Sequence, residues 1–280
     1  MVNTHSAPLP CSADGLAQNL IAHYVSYDEA GRLEATIRGR LEATRVRELI
    51  SRYLPPTPCA IADIGGAAGA HAVWMQGLGH TVDLIDPMAH HVEQARRAGV
   101  PAVVGDARDL PWKTGTFDAA LLAGPLYHLI DPHNRHMALR EAARVTRPGG
   151  VVVAVGLNRH ANLIGAALAG QLMQRQRIVH DIEQAGWSTA NDRWSAQTYY
   201  HTVGELHDEL TEAGIQVADI HGVAGIGGWL AVVTDRYGLD DEEGHMLRTA
   251  LLAARMSDHY PELVHTSAGL LAVGRVGGQR

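Results

Sequence analysis

The chain has 280 residues, 46% apolar and 19% charged, with a net charge of −7 and an isoelectric point near 6.2. Such a composition can bury a sizeable core and excludes a disordered chain, and an acidic surface argues against a general binder of phosphate backbones. The length suits one large domain with additions, and no apolar run reaches the roughly 18–20 residues of a membrane helix.

The start, MVNTHSAPLP, lacks the basic and apolar segments of a signal peptide. Two cysteines, Cys11 and Cys59, are too few for a disulfide framework or a structural zinc site, so a cytoplasmic location is expected. Residues 1–13 show no periodicity and are expected to form a tail. Helical spacing of Leu16, Leu20, Ile21 and Tyr24, then of Leu33, Ile37, Leu41, Val46, Leu49 and Ile50, predicts a helical cap over 14–56, stopped by Pro55-Pro56.

The pattern then alternates. Apolar runs at 59–64, 81–86, 102–106, 117–122 and 151–157 predict strands, with helices near 69–78, 88–98 and 133–145 between them. Asp131-Pro132 reads as an N-cap and first-turn proline. Strands that are apolar throughout indicate a parallel sheet covered on both faces. Residues 159–187 carry a long helical pattern, read with the following stretch as an inserted substrate cap over 159–213. Thr202-Val203-Gly204-Glu205 is a capping box opening a helix that ends at Gly214. Strands at 215–223 and 268–276, with a helix opening at Asp240-Asp241 between them, complete a core formed by 57–158 and 214–280. The expected fold class is α/β with seven strands.

The strongest chemical signal is ADIGGAAGAHAVWM at 62–75, a strand running through a glycine-rich turn into a helix. Ligands of open α/β sheets sit at such strand ends, and Gly65, Gly66 and Gly69 permit close backbone approach. An ordinary tight turn is the bland alternative. A dinucleotide fingerprint would need glycines at 67 and 70, where the chain has Ala67 and Ala70. The competing readings are a dinucleotide site and an S-adenosylmethionine site, and Asp86, 21 residues after Gly65, suits the ribose of either. Asp63 decides more, because its carboxylate would repel a pyrophosphate and attract a sulfonium or an ammonium.

The succession DIGGAAG, LIDP, GDARDLPW, FDAALLAGPLYHL and RVTRPGGVVVAVG resembles the class I S-adenosylmethionine-dependent methyltransferases, in their small-molecule branch. HYVSYDEAGRLEATIRGRLEATRVRELI, YYHTVGEL and HTSAGLLAVGR extend the resemblance towards both ends. It implies a Rossmann-like seven-stranded methyltransferase sheet, the last strand antiparallel, with a helical N-terminal cap and a helical insertion after the fifth strand. One departure is Ala67, where the family has a glycine.

The resemblance also implies roles. Gly65, Gly66 and Gly69 would line the methionyl and ribose region of S-adenosyl-L-methionine beside Asp63. Asp86 would accept from both ribose hydroxyls, with Pro87 and Met88 against the adenine. Asp106 would accept from the adenine amino group, with the Ala107 amide on the ring. Ala123 would offer its carbonyl to the cofactor's ammonium. Each aspartate also fits as a helix N-cap. Tyr24, Tyr27 and Arg32 are candidates for the cofactor's carboxylate, or else half-buried or solvated residues.

Seventeen histidines are many. His128, His160 and His201 follow the fourth strand, the fifth strand and Tyr199-Tyr200, where a general base could meet a substrate; each could equally be structural. His90 and His91 diverge on a short helix and read as surface residues. No ligand cluster points to a metal. Tyr127, Met173, Trp187, Trp194, Tyr199 and Tyr200 suit a flat apolar substrate, or ordinary cap packing, or a homodimer contact. The expected activity is methyl transfer to an N, O or C nucleophile of a small molecule, plausibly a secondary metabolite, with neither nucleic acid nor membrane as partner. A nicotinamide-dependent oxidoreductase and a non-catalytic S-adenosylmethionine-binding protein are the alternatives.

Overall fold

The structure is a computed structural model that describes residues 35–188, 198–239 and 244–277. One sheet organises it, with strands β1 (Ala60–Ile64), β2 (Thr81–Asp86), β3 (Ala102–Val104), β4 (Phe117–Leu122), β5 (Thr146–Asn158), β6 (Tyr200–His201), β7 (Ile215–Gly222) and β8 (Gly269–Val276). Their order is β3-β2-β1-β4-β5-β8-β7, with β6 paired to the end of β5. β8 runs antiparallel to both β5 and β7, and the other pairings are parallel. All seven predicted strands are present. The eighth, β6, is two residues long and leaves no periodic trace in the sequence.

Alternation along the strands builds two apolar layers. Ile61, Ala119, Leu121, Val151 and Val153 face one cluster, filled by α2 (Ala70–Gly77) and α3 (Ala89–Arg97). Ala62, Ile64, Ala120, Leu122 and Val152 face the other, filled by Leu139 and Ala142 of α4 (Pro132–Val145) and by Leu206 and Leu210 of α7 (Val203–Glu212). The predicted caps form. Asp131 accepts from the His133 amide at 2.9 Å. Thr202 Oγ1 accepts from the Glu205 amide at 3.1 Å, while Glu205 accepts from the Thr202 amide at 2.9 Å.

Three helical segments differ from the sequence expectation. The single pattern over 159–187 is two helices, α5 (Ala161–Leu168) and α6 (Leu172–Ala185), because Gly170 turns the chain at φ +64°. Between β7 and β8 stand α8 (Gly227–Tyr237), which the sequence did not suggest, and α9 (His245–Ser257). The helix expected from Asp240 begins in the structure at His245; 240–243 lie outside the described residues.

The α8–α9 segment leaves β7 at Gly222 and returns at Gly269, which pairs with Leu157 near the end of β5. It therefore sits at the carboxyl edge of the parallel strands. The helix α1 (Ile37–Ser51) packs Ile37 and Leu41 against Ala231, Ala250 and Ala254 of this pair. Asp235 of α8 accepts from the Ile37 and Arg38 amides at 3.0 and 2.9 Å, satisfying the open start of α1. The fully buried Arg45 donates to the Val223 carbonyl and pairs with Asp258 at 2.6 Å. Over the insertion, Trp229 of α8 lies against Gly165 of α5, and Arg236 donates to the Ala169 carbonyl at 3.0 Å. The insertion after β5 and the one between β7 and β8 thus touch, and together they form a helical cover at the carboxyl edge. Among the described residues, no helix is long and apolar enough to cross a membrane.

Candidate active site

The turn after β1 shapes the site. Gly65 takes φ +70°, Ala67 φ +47° and Gly69 φ +86°. A Cβ on Gly66 would lie 2.6 Å from both Asp63 Oδ2 and Leu84 Cδ1, so only glycine fits against that carboxylate. Pro125 and Gly124, after β4, close on Gly65, which brings the two strand ends together. Ala67 occupies a left-handed conformation that costs an L-residue about 1–2 kcal/mol. Ala67→Gly relieves this while adding freedom to the unfolded chain. We expect a net gain of about 0.5–1 kcal/mol in urea unfolding; a loss of stability would show that the methyl group packs usefully.

Three aspartates line the strand ends. Asp63 is fully buried, and neither of its oxygens has a hydrogen-bond partner among the described residues. Burial, helped by the negative charge of Asp86, pushes its carboxyl up to about 7. Asp86 accepts from the Ala67 amide through Oδ2 and from the Met88 amide through Oδ1, each at 2.9 Å. His91 Nδ1 lies 3.2 Å from the same Oδ1. Asp106 is gripped by Arg108, which donates from its amide, Nε and Nη2. Burial opposes the shift, but the Arg108 hydrogen bonds and charge hold Asp106 below the usual carboxylate range. The expected acceptor for an adenine amino group is thus already an ion pair. Pro87 leads into Met88, the N-cap of α3; Ala107 follows Asp106. The Ala123 carbonyl accepts a long hydrogen bond, 3.4 Å, from Tyr127.

The candidate substrate residues separate. His160 is the N-cap residue of α5, with a 43% exposed side chain, and its Nδ1 meets Glu183 Oε2 of α6 at 2.9 Å. His128 stacks edge-on to Tyr127 in the turn after β4. His201 is fully buried and meets Glu209 at 3.2 Å, so it has no surface to offer a substrate. Tyr199, expected to face the substrate, is also buried: the Arg135 guanidinium stands 3.6 Å over its ring and Arg159 hydrogen-bonds its hydroxyl. Tyr200 is half-buried on β6, Trp187 is half-buried after α6, and Met173 is 90% exposed. Tyr24, Tyr27, Arg32 and Trp194 lie outside the described residues.

His91 is 2% exposed, not a surface residue as its sequence context suggested. The buried face of α3 is His91, Val92 and Ala95, and a polar ring at its first position hid that face. Glu183 and Arg135 were also missed, their partners lying 23 and 74 residues away in sequence. Among the described residues no group of three or more His, Cys, Asp or Glu could hold a metal ion.

Residues 62–154 match a family profile described as a methyltransferase domain. Over 126 residues, 42% of this chain and 33% of the relative, the chain is 35% identical to 2-methyl-6-phytyl-1,4-hydroquinone methyltransferase 2, chloroplastic, of Oryza sativa subsp. japonica. Over 200 residues, 67% of this chain and 72% of the relative, it is 28% identical to the tRNA 5-carboxymethoxyuridine methyltransferase of Escherichia coli K12. A solved SAM-dependent methyltransferase from Methanosarcina mazei superposes with a TM-score of 0.56 at 18% identity, covering 82% of this chain and 98% of that one. The chain spans about a third of the length of the rice relatives that it matches.

The strand order, the glycine turn and these matches place a methyltransferase domain over residues 62–154, in a sheet with the fold of solved SAM-dependent methyltransferases. The solved neighbour is SAM-dependent, so S-adenosylmethionine is the group to test against these residues. The residues fit that group: among the described residues Asp63 is a buried carboxylate without a hydrogen-bond partner, which a sulfonium or ammonium would compensate, and Gly66 leaves room beside it.

Proposed function

We propose that the protein moves a methyl group from S-adenosylmethionine to an N, O or C nucleophile of a small molecule, as part of secondary metabolism. The observation that carries this reading is the helical cover at the carboxyl edge, where α5 and α8 meet through Gly165 and Trp229. A roofed site suits a ligand that can be enclosed. The net charge of −7 supports the same choice over a phosphate backbone. A tRNA acceptor is the second reading, favoured by the alignment to the Escherichia coli enzyme over 67% of the chain. A cytoplasmic setting agrees with the free, buried Cys59.

When bound, the cofactor supplies an electrophilic methyl group on a cationic sulfur. The chain's part is to align the nucleophile and, where it is protonated, to take its proton. We assign the latter to His160. Donation of its Nδ1 hydrogen to Glu183 leaves Nε2 as a proton acceptor on the half-exposed face of the ring. Glu183 meets His160 through Oε2, and its Oε1 has no hydrogen-bond partner among the described residues. His160→Ala is expected to lower kcat about 100-fold at neutral pH with unchanged cofactor affinity, and Glu183→Gln about tenfold. Steady-state rates against calorimetric affinity check this; an unchanged kcat removes His160 from the mechanism.

The functional test is incubation with methyl-labelled S-adenosylmethionine, a metabolite extract and, separately, total tRNA. Label in a small-molecule fraction is the expected result. Label in tRNA alone selects the second reading, and label in neither contradicts both. A thermal shift with NAD and none with S-adenosylhomocysteine would revive the oxidoreductase alternative.

A further inference from the structure

His91, to which no expected role falls, is in contact with Asp86 at the end of β2. It follows Asp86 by five residues on α3, is buried, and has its Nδ1 3.2 Å from Asp86 Oδ1. A carboxylate accepts and does not donate, so the imidazole is the donor in this contact. The rest of that helix face is Val92 and Ala95. A leucine at 91 would fill such a face without a polar ring to desolvate, so the histidine is there at a cost to packing. What it adds is a third donor on one carboxylate.

A carboxylate has about four acceptor positions. The Ala67 amide, the Met88 amide and His91 occupy three on Asp86. The two amides come from segments flanking the carboxylate, the glycine turn and the start of α3. His91 reaches it from one turn further along the helix and restricts its rotation.

We propose that His91 is a positioning residue that holds Asp86 in the orientation in which it receives the cofactor's ribose. The inference deepens the reading of Asp86 as the ribose partner and rests on it. His91 touches no cofactor atom itself; its effect passes entirely through Asp86. It therefore acts on ligands that carry ribose hydroxyls and is silent towards one that lacks them.

The test is calorimetric affinity for two probes, S-adenosylhomocysteine and its 2′,3′-dideoxy analogue, with wild type, His91→Leu, His91→Asn and Asp86→Asn. The asparagine amide at 91 keeps a donor at the place of Nδ1, and the leucine removes it. His91→Leu should weaken S-adenosylhomocysteine about tenfold, His91→Asn by less than about threefold, and neither should alter affinity for the dideoxy analogue. Equal weakening of both probes by His91→Leu would assign the residue to general packing and overturn the proposal. So would unchanged or tighter binding of S-adenosylhomocysteine. Asp86→Asn separates the two levels. If it abolishes discrimination between the probes while His91→Leu does not reduce it, the proposal fails and the ribose reading stands. If Asp86→Asn keeps full discrimination, the ribose reading itself fails. Thermal melting of the variants identifies any that do not fold, and His91→Asn then carries the comparison.

Discussion

Asp63→Asn should make the cofactor-free protein more stable at and above pH 7 while weakening its hold on the cofactor. The carboxyl's ordinary value is 3.8, and burial raises it to about 7 in the folded state. The folded chain therefore keeps a proton that the unfolded chain releases between these values. Folding free energy is intact below pH 3.8 and declines as pH rises towards 7. At about 1.4 kcal/mol per pH unit, the loss across the window is about 4 kcal/mol. An asparagine carries no charge to desolvate, so the variant should lack that decline.

Binding carries the opposite sign. A cation beside Asp63 favours the ionised form, so S-adenosylhomocysteine, which keeps the ammonium, should bind more tightly as pH rises towards 7, with proton release below that pH. The variant should lose this dependence and about 10- to 100-fold in affinity. Urea unfolding across pH, with calorimetry in buffers of different ionisation heat, reads both effects. A destabilised variant with wild-type affinity would mean that Asp63 serves the fold rather than the site.

The second large effect is expected at Arg135. It is 2% exposed and spends every donor group. Nε and Nη2 bind Glu209 at 2.9 and 2.7 Å, and Nη1 binds the Leu129 and Ile130 carbonyls at 2.9 and 2.7 Å. Its guanidinium covers Tyr199, whose amide donates to the Tyr127 carbonyl at 2.8 Å in the turn after β4. The cluster thus ties the return of the inserted segment to a strand end of the site. Burial works against ionisation of Glu209, but hydrogen bonds from His201 and Arg135 prevail and keep it below the usual range.

Arg135→Ala leaves the half-buried Glu209 carboxylate to His201 and opens two carbonyls, and should cost about 3–5 kcal/mol. Adding Glu209→Met should recover part of it, since the charge left without its arginine is then gone. A loss below about 1 kcal/mol, or no recovery in the double variant, would contradict the assignment. Glu209 also predicts that stability falls in acid, as its lowered carboxyl is protonated.

These residues mark where sequence reading stops. The sheet was legible because parallel strands buried on both faces read as unbroken apolar runs, as VVVAV does in β5. The turn after β1 was legible because its glycines are demanded by backbone geometry and by contact with Asp63. α8 was not, since its opening Gly227-Gly228 reads as loop and its burial depends on α1 and α9. Tyr199 looked like a substrate residue because aromatic side chains in a cap suit a ligand, and His201 like a base because it follows Tyr199-Tyr200; a buried arginine from α4 claims Tyr199 and a half-buried carboxylate from α7 claims His201. His91 was misplaced for the converse reason: it shares the buried face of α3 with Val92 and Ala95 and meets Asp86, which a polar ring at the first position of that face concealed.

The most direct measurement of the central claim is mass spectrometry of small molecules from an extract incubated with the protein and methyl-labelled S-adenosylmethionine, beside the same incubation with Asp63→Asn. The account predicts a labelled product with the wild-type protein and a marked loss of it with the variant. No labelled small molecule from the wild-type protein, or equal labelling by both, would contradict it.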